Sequence, residues 1–276
     1  MYSRFNYTKG SQYGTLLNPN IAGFEKEFAT SKKEIQRKLK EFILDNGHID
    51  ASALQEEWFP TIKADVFISH SHKDISIAKA LAGWLKTTFG LNSFIDSSVW
   101  GYCDELLKEI DNKYCKNRID SKRFSKGDKE TYNYTLRNFT TSHVHTLLSS
   151  ALSQMIDKTE CVIFINTPQS VSISSEIESI KGDSITTSPW IYHELAMTSI
   201  IKTTKPMRQH TISESFSHTE IRDSLPQFDY RIDAYLKEMI ELTEADLISW
   251  EKKKAVNGAD SLDKLYELKG LLNKKS

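Results

Sequence analysis

A carboxylate and an indole share one face of a predicted helix in the second half of the chain. Trp190 and Glu194 are four residues apart, and residues at that spacing lie on the same side of a helix. Ser188 can cap this helix and Pro189 can be its first residue. The face could therefore present an aromatic ring and a negative charge to one ligand. The plainer alternatives are a solvated helix glutamate and a core tryptophan.

Further candidate residues follow two predicted strands. Ser69, His70 and Ser71 form the turn after the first strand, where they could line a ligand pocket or cap the next helix. Asp96 ends the second strand and could hold a ribose or shape a turn. Trp100 lies in the predicted loop that follows. Its ring could stack on an adenine or pack against a neighbouring protomer.

The spacing of histidines and cysteines does not match the common metal sites. His143 and His145 are two residues apart, Cys103 and Cys115 are twelve apart, and the sequence contains no CxxC or HxxxH pair. It also lacks a GxGxxG or P-loop motif. A bound nucleotide would therefore be a substrate and not a redox cofactor, and no metal is expected.

Composition limits the partners that the protein can have. The chain of 276 residues carries 36 Lys and Arg against 37 Asp and Glu, for a formal net charge of -1, so we do not expect it to bind nucleic acid by bulk charge. The 108–142 stretch mixes basic residues with Tyr132 and Phe139. This stretch could bind the phosphates of a nucleotide or a single-stranded nucleic acid, or it could be only a solvated surface segment. The three cysteines and the absence of a long apolar run favour a cytoplasmic protein without membrane contact.

The elements that must position these residues alternate between strands and helices. Short apolar runs predict buried strands, and apolar residues at helical spacing predict helices after each of them. This alternation indicates a parallel sheet with helices packed on it. The predicted strands span 66–68, 93–95 and 161–165, and the main helices span 75–85, 142–155 and 189–197.

The flanks are predicted from weaker patterns. Residues 1–20 are polar and are interpreted as an arm or loop, followed by an amphipathic helix over 22–45 that ends at Asn46-Gly47 and a short helical turn over 52–58. Beyond 228 we predict a short strand at 228–232 and helices over 236–240, 245–254 and 261–273. Thr243 and Asp246 are spaced as in a capping box.

Three motifs follow one another along the chain: Asp65-Val66-Phe67-Ile68-Ser69-His70-Ser71, Phe94-Ile95-Asp96 followed by Trp100-Gly101, and Ser188-Pro189-Trp190-Ile191-Tyr192-His193-Glu194-Leu195. Together, in this order, they resemble the bacterial form of the TIR (Toll/interleukin-1 receptor) domain. The resemblance covers about residues 62–205. One departure is that the Gly-Asp pair of many family members is split here between Gly101 and Asp104.

The resemblance implies an α/β protein with a flavodoxin-like parallel sheet, flanked by N-terminal and C-terminal helices. It divides the chain into an arm and amphipathic helix over 1–61, a TIR-like domain over 62–227 with an insertion at about 108–142, and a helical segment over 228–276. Domains of this kind often associate with copies of themselves, so self-association is expected here.

The resemblance also implies an activity. Similar bacterial domains cleave NAD+ at the nicotinamide–ribose bond, with NAD+ as substrate and no cofactor. Some make ADP-ribose-derived signals for a downstream effector or deplete NAD+ in anti-phage defence. The family's catalytic glutamate corresponds to Glu194, while Ser69, His70, Ser71, Asp96, Trp100 and Trp190 would bind substrate. The alternatives are a non-enzymatic interaction module and an N-glycosyl enzyme similar to nucleoside deoxyribosyltransferases.

Overall fold

The structure is a computed structural model that describes residues 1–8, 10, 39–59, 62–95, 97–117, 131–173, 182–204 and 229–272, with the side chains of 97–102 left out. Most of the amphipathic helix predicted over 22–45 lies outside these ranges, as does Asp96. The described end of that helix, Leu39–Phe42, is a 3-10 turn. The predicted turn at Asn46-Gly47 follows it, and Gly47 has a φ of 81°.

Five parallel strands form the main sheet, as the strand–helix alternation predicts. They are β1 (Ser3–Thr8), β2 (Val66–Ser69), β3 (Ser93–Ile95), β4 (Cys161–Asn166) and β8 (Ile240–Leu242), in the spatial order β3-β2-β4-β1-β8. The apolar runs of β2 and β4 are buried on both faces, as in a doubly covered parallel sheet. The α/β, flavodoxin-like fold class is confirmed.

Helices cover both faces of this sheet. One face carries α2 (Ile75–Phe89), α7 (Glu244–Glu251) and α8 (Gly258–Leu268), and the other carries α1 (Ala51–Trp58), α3 (Ser97–Ile110) and α4 (Tyr134–Lys158). Gly90 ends α2 in the left-handed conformation at φ 73°, which a residue with a side chain rarely adopts. Each helix buries an apolar stripe against the sheet, which gives two core clusters of buried side chains.

The first residues form a strand in the sheet, so the predicted polar arm is wrong there. Phe5 and Tyr7 are fully buried, and β1 pairs in parallel with β4 on one side and β8 on the other. The polar residues that alternate with them, Arg4 and Asn6, are only partly buried. This alternation is the period of a strand, in which successive side chains point to opposite faces. Because every second residue is polar, the segment was interpreted as an arm, although it is a strand inside the sheet between β4 and β8.

The region around the predicted insertion is more helical than expected. The predicted loop at 97–104 belongs to α3, which continues into a π-helical turn at Asp111–Cys115. Helix α4 begins at Tyr134, eight residues before the predicted cap Ser142. Asn133 caps it by accepting a hydrogen bond from Leu136 N at 3.0 Å. Ser142 lies inside the helix, where its hydroxyl donates to the carbonyl of Asn138. The start of α4 was missed because its first turns are mostly exposed and its buried apolar residues begin only at Val144.

The connecting elements include a second, antiparallel sheet of three short strands. Its strands are β5 (Ser172–Ile173), β6 (Ser184–Thr186) and β7 (Tyr230–Arg231), and β7 lies within the strand predicted at 228–232. Helix α5 (Pro189–Ile200) follows β6, and α6 (Asp233–Glu238) follows β7. Within the described ranges, every helix is too short or too polar to cross a membrane.

The last part of the chain completes the sheet and the core. Residues 240–242, partly predicted as helix, form the edge strand β8 beside β1. The predicted capping box is confirmed: Thr243 and Asp246 each bond the other's backbone at the start of α7. Asn257, interpreted as a break, caps α8 by accepting from Asp260 N at 2.9 Å. That cap starts α8 three residues earlier than predicted.

Candidate functional site

The helix that carries Glu194 begins as the sequence predicts. Ser188 caps α5 by accepting a hydrogen bond from Ile191 N at 3.3 Å, and Pro189 is the first helical residue. The buried residues of α5 are Ile191, Glu194, Leu195, Ala196 and Thr198, and all of them except Ala196 follow the helical spacing i, i+3, i+4 and i+7. A glutamate thus lies in the middle of the apolar stripe that packs onto the sheet.

Glu194 is fully buried and is hydrogen-bonded to Ser69. Both residues have 0% of their surface exposed. The Ser69 hydroxyl donates to Oε2 of Glu194 at 2.6 Å, a distance typical of a hydrogen bond to a charged carboxylate. This contact rules out the solvated helix glutamate. It joins two motifs that are 125 residues apart in the sequence.

The bond lies at the carboxyl edge of the sheet, between β2 and β4. Ser69 is the last residue of β2 and is paired with Phe164 of β4. After β2 the chain continues to β3 on one side, and after β4 it continues to β8 on the other side. Strands β2 and β4 are therefore the neighbours at which the strand order reverses. Open α/β sheets bind their ligands in the crevice at such a point.

A second buried pair at the same edge was missed from the sequence. Thr167, just after β4, donates its hydroxyl to Oδ2 of Asp74 at 2.5 Å, and both residues are buried. Ser170 fixes the loop after β4 by accepting from Thr167 N and donating to the carbonyl of Ile165, both at 2.9 Å. The available signal was a run of small polar residues directly after the most apolar strand. These bonds tie the loop after β4 to the turn after β2.

The other residues of the turn after β2 are placed next to this pair. His70 is 3% exposed and Ser71 is half-buried. Ser71 begins the 3-10 turn at His72–Asp74 without a side-chain capping bond, and its carbonyl accepts from Asp74 N at 2.7 Å. The simple capping alternative for Ser71 is therefore wrong.

Trp190 packs toward α4. Its ring meets the edges of His145 and His193, with ring centroids 5.6 Å and 6.5 Å away. It borders the core cluster that contains α1, α3 and α4. The structure thus joins Ser69 to Glu194, and it places Trp190 between two imidazoles where it packs one helix on another.

The two histidines beside Trp190 favour their neutral form. Partial burial lowers the pKa of His145, a residue that is still exposed on one side, against the opposing effect of Asp104. Burial also lowers the pKa of His193, whose Nε2 lies 3.2 Å from the carbonyl of Ser149 and 3.2 Å from the hydroxyl of Ser153. His143 is exposed and packs on Phe139. In the described part of the chain, no three His, Cys, Asp or Glu residues are grouped to hold a metal ion.

The end of α5 is anchored to the first strand. The Arg4 guanidinium donates to the carbonyl of Thr198 and to Oε2 of Glu238 at 2.8 Å. The Ser199 hydroxyl also donates to Glu238. Strand β1 therefore holds the helix that carries Glu194, a contribution that the interpretation of residues 1–20 as an arm had missed.

The side chains of two predicted site residues lie outside the described part of the structure. Asp96 lies outside the described residues, and Trp100 is described only by its backbone, within α3 and not in a loop. Comparison with family models, curated proteins and solved structures found no match to this chain. The buried Ser69–Glu194 pair, at the carboxyl edge of the sheet, is the feature of the molecule that bears most directly on function.

Proposed function

We propose that this protein is an NAD+ glycohydrolase that cleaves the nicotinamide–ribose bond, with Glu194 as the catalytic residue. The observation that supports the proposal is the burial of a glutamate at the strand-order switch point, hydrogen-bonded to the last residue of β2. A carboxylate is costly to bury, so its presence in an apolar stripe calls for a use beyond packing.

The chemistry requires a negative charge near the ribose. When the C1′–N bond breaks, its electron pair leaves with nicotinamide, and positive charge develops on the ribose ring. The Glu194 carboxylate would stabilise that charge and accept hydrogen bonds from the ribose hydroxyls. Nicotinamide leaves as a neutral molecule and needs no proton. Water then adds to C1′ and loses a proton, which gives ADP-ribose; attack by an internal group would give a cyclic product.

Access to Glu194 requires a rearrangement. With 0% of its surface exposed, the carboxylate touches a ribose only after α5 or the turn after β2 moves. We propose that the resting protein is nearly inert and that self-association or a trigger opens the site. Such control suits an enzyme that would otherwise deplete NAD+, and it fits a role in anti-phage defence through NAD+ loss or through an ADP-ribose-derived signal.

The test is nicotinamide release from NAD+ by the purified full chain, measured by chromatography across a range of protein concentrations and with a crowding agent. We expect specific activity per protomer to rise with concentration. The Glu194→Gln variant keeps the shape but loses the charge, and its rate should fall about 10²–10³-fold. The control is Glu251→Gln, an exposed glutamate at the end of α7. A Glu194→Gln rate within about threefold of an active wild type would refute the assignment.

The burial of Glu194 also favours a second candidate, a non-enzymatic interaction module. In that case Glu194 and Trp190 would serve packing, as the contacts of Trp190 with His145 and His193 illustrate. Light scattering would then show concentration-dependent assembly with no nicotinamide release at any protein concentration. Release of the free nucleobase from a deoxynucleoside, followed by the same chromatography, tests the deoxyribosyltransferase-like alternative.

A further inference from the structure

We propose that Ser69 is a positioning residue, whose hydroxyl holds the Glu194 carboxylate in the orientation that the reaction needs. The sequence had suggested contact between Ser69 and substrate, whereas the structure turns its hydroxyl toward Glu194. This inference rests on the proposed cleavage of NAD+ at Glu194. It assigns Ser69 an action through another residue and not on the substrate.

The position of Ser69 in β2 is the first support. Val66 and Ile68 belong to one core cluster and Phe67 belongs to the other, as expected when side chains alternate along a strand. Ser69 therefore points to the face of Phe67, where a buried strand residue would ordinarily be apolar. The apolar pattern of β2 is interrupted by a hydroxyl at this fully buried position, and that hydroxyl contacts the Glu194 side chain of α5.

The chemistry of a hydroxyl is the second support. A buried carboxylate needs hydrogen-bond donors, and a lysine or arginine would supply them while neutralising the charge. A serine hydroxyl donates one hydrogen bond and carries no charge. Ser69 can thus orient Oε2 at 2.6 Å and leave the negative charge available to a developing cation on the ribose.

The rigidity of β2 is the third support. Ser69 is held by parallel pairing to β4, and its neighbours Phe67 and Ile68 are fully buried. Three side-chain torsions separate the Glu194 carboxylate from the backbone of its helix, so the carboxylate needs an external contact to stay in one rotamer. A donor fixed to a central strand provides that contact more accurately than a donor on a loop would.

The experiment compares Ser69→Ala with Thr159→Val, using NAD+ and conditions under which the wild type is active. Both variants remove one buried hydroxyl, but Thr159 donates to the carbonyl of Ile156 at the end of α4, just before β4 begins and away from the carboxyl edge of the sheet. We expect Ser69→Ala to lower kcat about 10- to 100-fold with KM nearly unchanged, since misplacement of a reacting group by about 1 Å can cost about 100-fold. Thr159→Val should lower the urea midpoint of unfolding and leave kcat within about threefold.

A double variant separates positioning from independent action. If Ser69 acts through Glu194, adding Ser69→Ala to Glu194→Gln should change the remaining rate by less than about twofold. Ser69→Thr keeps the hydroxyl and should recover most of the loss. Ser69→Cys, close to serine in size, takes the place of Ser69→Ala if the alanine variant does not fold.

Three results would overturn the inference. Additive losses in the double variant would mean that Ser69 acts independently of Glu194. A raised KM with unchanged kcat would mean that Ser69 contacts substrate directly. Equal losses of kcat in Ser69→Ala and Thr159→Val would mean that both hydroxyls only support the fold. In contrast, an active wild type that is matched by Glu194→Gln, or a wild type that releases no nicotinamide, refutes the proposed function itself and the inference with it.

Discussion

Replacing Trp250 tests whether the end of the chain belongs to the same core as the sheet. Trp250 is fully buried and stacks on Phe89 with ring centroids 4.3 Å apart. It also meets Trp84 edge-on at 5.7 Å, and its Nε1 donates to the carbonyl of Ser261 at 2.7 Å. One side chain thus connects α7 with α2 and α8.

The magnitude follows from these contacts. Trp250→Phe loses the indole hydrogen bond, worth about 1 kcal/mol, and part of the buried ring, worth about another 1 kcal/mol. Trp250→Ala removes the whole side chain and leaves a cavity, which costs about 3–5 kcal/mol. In a chain of this size 1 kcal/mol shifts Tm by roughly 2 °C. We therefore expect Tm to fall by roughly 4 °C for Trp250→Phe and roughly 6–10 °C for Trp250→Ala.

The assays are thermal and urea unfolding followed by circular dichroism at 222 nm, with intrinsic fluorescence of the wild type as a second probe. Phe139→Ala is the control, because that ring is 64% exposed and its loss should change the free energy of unfolding by less than about 0.5 kcal/mol. Single, coincident transitions are expected. A change below about 1 kcal/mol in Trp250→Ala, or separate transitions for the two probes, would refute a shared core.

Three further predictions concern the strand, the helix end and the histidines. Phe5→Ala should destabilise the protein by about 3–5 kcal/mol in urea unfolding, because Phe5 is fully buried in β1; an effect typical of an exposed arm would contradict the strand. Gly90→Ala should cost about 1–2 kcal/mol from its φ of 73° alone, since a Cβ there meets no atom within 4 Å; a smaller loss would mean that the left-handed cap relaxes. Burial lowers the pKa of His145 and His193 in the folded chain. As pH falls, both histidines therefore take up protons in the unfolded chain before they do so in the folded chain. The stability that the neutral histidines contribute is present above about pH 6.5 and is lost as pH falls below that value. The loss should shrink in a His145→Gln, His193→Gln double variant, and an unchanged pH profile of the urea midpoint would refute it.

The parts of the fold that were predicted correctly depend on local signals. The apolar run at 161–165, the cap at Ser188-Pro189, the stop at Gly90 and the capping box at Thr243 act within a few residues. Chemistry of such short range can be recognised from the sequence. The order in which strands pair is a property of the whole chain. This is why β1 and β8 were not recognised as strands of the main sheet.

The candidate site was predicted only in part for the same reason. The motifs identified Ser69 and Glu194 separately, but the bond between them depends on how α5 packs across β2. Thr167 and Asp74 became a pair only when β4 was placed beside β2. Trp190 shares a helix face with Glu194, yet the position of α4 determines that it packs against His145. The assignment of NAD+ cleavage remains a prediction from the motifs.

The central position of β1 has a consequence for how the protein folds. Phe5 pairs with Ile163 of β4 and with Ile240 of β8, both much later in the chain. Contacts of such long sequence separation slow folding because a long loop must close before they form. During synthesis β1 has no partner until β4 has emerged, and β4 presents an open edge whenever β1 is displaced. An exposed, apolar parallel strand is a template for aggregation. We therefore expect substitutions in β1 to lower the yield of soluble protein by more than their effect on equilibrium stability would suggest.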